Sequence, residues 1–312
     1  MTIASSVVSS FVDPLQTYIN EGSASVAEAV QGPFTVAAML YILIFGIMIL
    51  LGYVRLPVSD FVINVIKISI ISLIVTQVSA YNQYVTDFFF VQLPEGLGAV
   101  VGGFSGNNVN AEEIRSGTAF DEIIDRSIQL AKDISDSGSW RDIYPYIVAA
   151  FYTALALGVT MVLLAIYLFG KVALALILVL GPLFIALLLF RVTQPFFSSW
   201  LASVVNFALL QVMTIALVGL MISLIQSFLE DTQGGGMNPG IMIVQATRLA
   251  GLFALTLYLG LQLPSIAARL SGGGLALGGG IASAAINAAR KIPGVGTVAA
   301  AAARGGSITP NR

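Results

Sequence analysis

The chain has 312 residues, 57% of them hydrophobic and only 10% charged, with a mean hydropathy of +0.92 and a formal net charge of −2. Soluble domains carry roughly 25% charged residues, so this composition excludes an ordinary water-soluble fold and calls for a non-aqueous solvent. The absence of cysteine and histidine excludes disulfides and thiol chemistry, and removes the commonest general base and metal ligand.

In chain order, residues 1–33 are small and polar, with Val8, Phe11, Val12, Leu15 and Ile19 at helical spacing. They are expected to form an amphipathic helix at the membrane interface. Phe34–Val54 is charge-free and long enough to cross the hydrocarbon layer, which takes about 20 helical residues. It starts too late and runs too long for the core of a signal peptide, so it is expected to remain as an anchor. Arg55-Leu-Pro57 is a natural helix stop. The next apolar segment, about 60–80, carries Asn64, Lys67, Ser69, Ser72, Thr76 and Gln77 mostly on one side, a stripe expected to face protein or water.

Residues 81–142 hold ten acidic and four basic residues and read as one soluble acidic loop, Gly/Asn-rich at Gly102–Asn110. Within it, Ala111–Ser135 is predicted to be an amphipathic helix with Phe120, Ile124, Ile128, Ala131 and Ile134 on one stripe. Either a partner or its own loop would cover that stripe. A membrane helix cluster is expected over 143–268. Ile143–Phe190 is too long for one span, and Gly170-Lys171 is read as the divider between two. Gly181-Pro182 should kink the second half near mid-membrane. A turn at Arg191–Pro195 follows, with Trp200 placed as an aromatic-belt residue. Trp200–Leu229 and Ile241–Leu263 complete six hydrophobic segments, and Arg248 in the last either snorkels or lines a polar path. Beyond Pro264 lies a Gly/Ala-rich tail, 269–312, with five basic residues and no acidic one. The fold class is therefore an all-α, polytopic membrane bundle of five to six hydrophobic segments with one amphipathic extramembrane helix. Six crossings would put both termini on one side; five would separate them.

Chemistry is sparse. No long apolar run contains an Asp or Glu, and Asp60 stands only at the edge of its segment. No catalytic, cofactor or metal constellation is present, so the chain reads as a non-enzyme that needs no cofactor. Small residues recur at four-residue spacing, Ala150-Ala154-Gly158 and Ala246-Ala250-Ala254, and such ladders let helices approach closely within or between subunits. A small-solute transporter is the alternative reading. It predicts matching broken helices in two halves, and the sequence displays only the Gly181-Pro182 break.

Two stretches carry a resemblance. Leu180-Gly-Pro-Leu-Phe-Ile185, continued by Leu189-Phe190, Phe196-Phe197, Trp200-Leu201 and Asn206, resembles the hallmark segment of the TrbL-type inner-membrane channel proteins of type IV secretion and conjugation systems. Gln262-Leu-Pro-Ser-Ile-Ala267 with Leu270-Ser-Gly-Gly273 resembles the motif closing that family's membrane region. The resemblance implies a channel subunit in a bacterial inner membrane that assembles as a ring. Its partners would be pilin, minor pilin, other inner-membrane components and ATPases. It would transiently contact single-stranded DNA and protein in transit. It also implies an N-terminus and loop in the periplasm and a tail in the cytoplasm. Channel or assembly candidates are Lys67, Gly181, Pro182, Phe184, Arg191, Trp200, Asn206, Arg248 and Pro264. The acidic loop has the wrong sign for a phosphate groove, and it is larger in some members, so the resemblance carries no substrate contact to it.

Overall fold

Backbone polar groups in lipid must satisfy one another, and a chain this apolar does so as helix. The computed structural model describes residues 3–51, 58–97, 117–136, 143–233 and 239–272, and every regular element among them is helical. The Gly/Asn-rich loop Gly102–Asn110 and the tail beyond Gly272 lie outside the described residues.

Helix α1 (Ile3–Leu50) is continuous across the boundary between the polar segment and the first apolar run. At 1.5 Å per residue its 48 residues reach about 72 Å, more than twice the ~30 Å hydrocarbon layer. Its first half buries Val8, Val12 and Ile19 as the spacing predicts, while Phe11 stays outside. Helix α2 (Val58–Thr76) returns beside α1, and the two enclose an apolar groove of about 240 Å³ lined by Tyr41, Phe45, Ile49, Val65 and Ile68. At Gln77 the backbone becomes extended, and the following helical arm, Val78–Leu97, departs at 98°. The arm opens with α3 (Val78–Tyr81) and then widens into two π-helical turns, Asn82–Thr86 and Phe88–Gln92. The expected soluble region thus begins as a helix packed on the bundle, with Tyr81 and Phe90 fully buried.

Helix α4 (Thr118–Asp136) is the expected amphipathic helix, and its apolar stripe docks on the membrane helices themselves. Phe120, Ile124, Ala131 and Ile134 are buried, joined by Ile123 and Leu130. Helix α5 (Tyr144–Val179) overturns the division at Gly170-Lys171. Its 36 residues are uninterrupted through both, so the first expected span and the start of the second, to Val179, are one helix. A single charge does not break a helix whose apolar pattern continues beyond it. The short α6 (Gly181–Ala186) and a 3₁₀ turn (Leu187–Leu189) lead to α7 (Gln194–Gln233) and α8 (Pro239–Leu270). Pro264 does not end α8, which runs on for six residues.

Among the described residues, four helices are long and apolar enough to cross a membrane, or five if α2 and the arm together make one broken span. Their directions follow from contacts. Ala4 reaches Tyr167 through Asp121 and Phe120 of α4, and farther on Gly22 abuts Val179, so α1 and α5 run parallel. Trp200 lies beside Ile177 and Phe207 beside Phe169, so α7 is antiparallel to α5. Thr256 donates to the Met221 thioether and Gly260 abuts Leu217, so α8 runs antiparallel to α7. The core lies between α5 and α7, and α7 is the most enclosed, with 67% of its most apolar window buried against 6% for α1.

Candidate functional site

Two interruptions meet inside this bundle, one at Gln77 and one at Gly181-Pro182. The second was expected as a kink; it is a true helix end, with α5 stopping at Val179 and Pro182 in the first turn of α6. Proline is tolerated there because first-turn N–H groups lack intrahelical partners. Near the end of α5 the Leu178 carbonyl lacks its usual donor four residues on, since Pro182 has no N–H, and within the chain turn it accepts from the Leu180 N–H. Two aromatic side chains supply the donors. The Tyr81 hydroxyl donates to the Leu178 carbonyl, and the Trp200 indole N–H donates to the Ile177 carbonyl at 3.0 Å.

The glycine at this junction has a steric reason. A Cβ on Gly181 would stand 2.0 Å from the Tyr81 Oη, so any other residue evicts the tyrosine. Phe184 stacks on Trp200 with ring centroids 6.0 Å apart at 14°, and Phe197 leans on the same indole at 5.5 Å. Trp200 is thus a buried cap: an apolar ring with one N–H suits an unsatisfied helix end as well as an interface. The arm is tied at its base as well, because Ser23 Oγ of α1 donates to Asn82 Oδ1 at 3.1 Å.

The structure therefore gathers Gly181, Pro182, Phe184 and Trp200 into one cluster and leaves the other expected residues apart. Asn206 lies farther along α7, buried, its Oδ1 without a hydrogen-bond partner; Gln211 Oε1 is in the same condition. Lys67 is half-buried on α2 and Arg191 is exposed in the turn before α7. Arg248 is exposed at the start of the apolar stretch of α8, and Pro264 is half-buried near its end. In the polar stripe of α2, Ser69 and Thr76 donate to their own helix's carbonyls at 2.9 and 2.7 Å.

Three participants escaped the sequence reading. Tyr81 was counted with the soluble loop; only the orphan carbonyl implied by Pro182 signals that some donor must arrive. Lys171 is 3% exposed, with its Nζ 4.6 Å from the Phe90 ring centroid and 5.8 Å from that of Tyr167. It is the one charge in an otherwise charge-free stretch of 48 residues, a pattern that signals a buried cation as readily as a boundary between spans. Asp121, also buried, accepts hydrogen bonds from the backbone N–H groups of Ala4 and Ser5 at 2.8 and 2.9 Å. It is an anion seated on the N-terminus of α1, where the helix dipole favours one.

The family model described as TrbL/VirB6 plasmid conjugal transfer protein matches residues 38–263, which is most of the chain and contains every element of the junction. The chain belongs to the TrbL/VirB6 family. Among relatives, it is 27% identical over 277 residues to the type IV secretion system protein VirB6 of Bartonella quintana (strain Toulouse), covering 87% of this chain and 80% of that protein. It is 28% identical, with the same coverage, to the protein of that description from a strain of Bartonella henselae. The resemblance read from the two proline-centred motifs is thereby borne out, and this TrbL/VirB6 member is a multi-pass membrane protein.

Proposed function

We propose that this TrbL/VirB6 member is an inner-membrane structural and channel subunit of a type IV secretion system, supporting pilus assembly and the passage of DNA–protein substrates. The family match over residues 38–263 carries this reading. Its partners are the other subunits of such a system: pilin, minor pilin, inner-membrane components and ATPases. The outward faces support assembly into a homo-oligomeric ring. Ala150, Ala154 and Gly158 all face away from their own bundle, and the apolar half of α1 is exposed on most of its surface, leaving both to lipid or a neighbouring subunit. The chain's role is construction of a passage, without an enzymatic step.

The small-solute transporter reading gains one feature, since the break at Gln77 is a counterpart to Gly181-Pro182. The point where the two breaks meet is nevertheless filled by the Tyr81 side chain, whereas a transporter places its substrate there. The test is complementation of a deletion strain. Replacing Gly181-Pro182 by Ala-Leu should reduce substrate transfer severely, while removing Arg312 should not. Equal and negligible effects would remove the junction from the mechanism, and transfer that persists in the deletion strain itself would overturn the proposal.

A further inference from the structure

We propose that the outer half of the arm, Phe88–Leu97, is a latched strap over the α5–α7 seam, and that an ion pair between Lys171 and Glu95 is the latch. The arm is anchored differently at its two ends. Its base is fixed by Tyr81 on the Leu178 carbonyl and by Ser23 on Asn82. Its outer half reaches α5 at Lys171, whose ammonium lies over the Phe90 ring and beside Tyr167. Phe90, Val91, Pro94, Glu95, Tyr167 and Lys171 line, with Ile215 of α7, a small pocket with room for about 10 Å³ of water. That volume admits one water at most, and Glu95 and Lys171 share its wall.

An ammonium this deeply buried in an apolar helix is stable only when paired, because its lost hydration must be replaced. The two rings supply a cation–π share of that replacement, and Glu95 is the acidic residue that lines the cavity. The segment between the anchors is made of π-helical turns, Asn82–Thr86 and Phe88–Gln92. Such turns are rare and recur at functional sites, and a wide, poorly closed ladder is where a helical arm bends. Release would uncover the face of Lys171 and the seam beneath it while leaving the base docked. Lys171 is thus the residue that decides whether the strap lies down.

The chain has no cysteine, so two introduced cysteines are the only labelling sites. Spin labels at Gln92→Cys on the arm and Met161→Cys on α5, both exposed positions, report the strap in full-length protein in lipid nanodiscs by pulsed electron resonance. With Lys171 and Glu95 in place, a single narrow distance distribution is expected. Lys171→Met should broaden it or add a longer distance, Glu95→Gln should do the same, and the swap Lys171→Glu with Glu95→Lys should recover the narrow form. An unchanged distribution in Lys171→Met overturns the latch, and a swap no narrower than the single variants overturns the pairing. Should Lys171→Met fail to fold, Glu95→Gln decides alone: broadening supports the proposal and an unchanged distribution overturns it. The readout is a distance, so it stands or falls independently of secretion activity.

Discussion

At the scale of single residues, the junction turns on which donor reaches which carbonyl. Tyr81→Phe keeps the ring over Gly181 but takes the side-chain donor from the buried Leu178 carbonyl, leaving it the Leu180 N–H alone. A buried polar group left unsatisfied costs about 1–3 kcal/mol, so this variant should melt earlier in detergent than the parent, with helical content unchanged before the transition. A melting curve that overlays the parent's would mean that another group caps Leu178. The need for a donor was legible from Pro182 alone, since a proline removes an N–H wherever it stands. Its identity was not, because the partner is 97 residues distant in sequence. Trp200 shows the converse: its amphipathic character was legible and its environment was not. Lys171 shows that a lone intramembrane charge is better weighed by what must surround it than used as punctuation.

Among elements, the pairing of α1 with α4 is the least expected. Gly117, at φ +79, turns the chain into α4 against Ala4 and Val8, and one turn later Asp121 meets the first N–H groups of α1. A left-handed φ favours glycine, and a Cβ there would also stand 2.8 Å from Val8. Hydrogen bonds to a charged acceptor are worth roughly 1.5–3 kcal/mol, so Asp121→Ala should fray the start of α1. Amide exchange at Ala4–Val8 should rise well above that of the parent, while the α5–α7 core keeps its protection. Asp121→Asn, still an acceptor, should fall between the two. Both helices were legible from their apolar stripes, because a 3.6-residue period shows in a single segment. Their partnership was not, since periodicity says that a face must be covered and never by what. The continuity of α5 through Gly170-Lys171 has the same root: an apolar run shows that a helix is favoured and not where it stops.

For the molecule as a whole, helix directions and the Asp121 contact together constrain the topology. The start of α4 lies against the start of α1, so α2 and the arm bring the chain back to the side on which α1 began. With α2 and the arm counted as one broken span, five of the described helices can cross, an arrangement that separates the N-terminus from the tail. Five basic residues and no acidic one mark that tail for the cytoplasm. Reporter fusions after residue 110 and at the C-terminus should therefore score on opposite faces, periplasmic for the first and cytoplasmic for the second. Matching signals at both sites would require an even number of crossings. Composition made the membrane environment plain, and two short motifs pointed to the family. The number of crossings was not legible there, because charge placement is equally compatible with five passes and six, while the described helices allow four or five.

The seat of Asp121 on α1 also has a consequence in time. The N–H groups it binds belong to residues 116 and 117 positions earlier. At a synthesis rate of about 5–20 residues per second, on the order of 6–25 s separate their emergence from that of their partner. During that interval the amphipathic start of α1 exists without its anion and without the apolar stripe of α4 to cover Val8 and Val12. The first membrane segment must therefore be handed to the bilayer with an unfinished end, and the closing contact forms only after the acidic loop has joined it on the same side. Biogenesis is built into the contact: a chain inserted with either segment on the wrong face has no Asp121 within reach of α1.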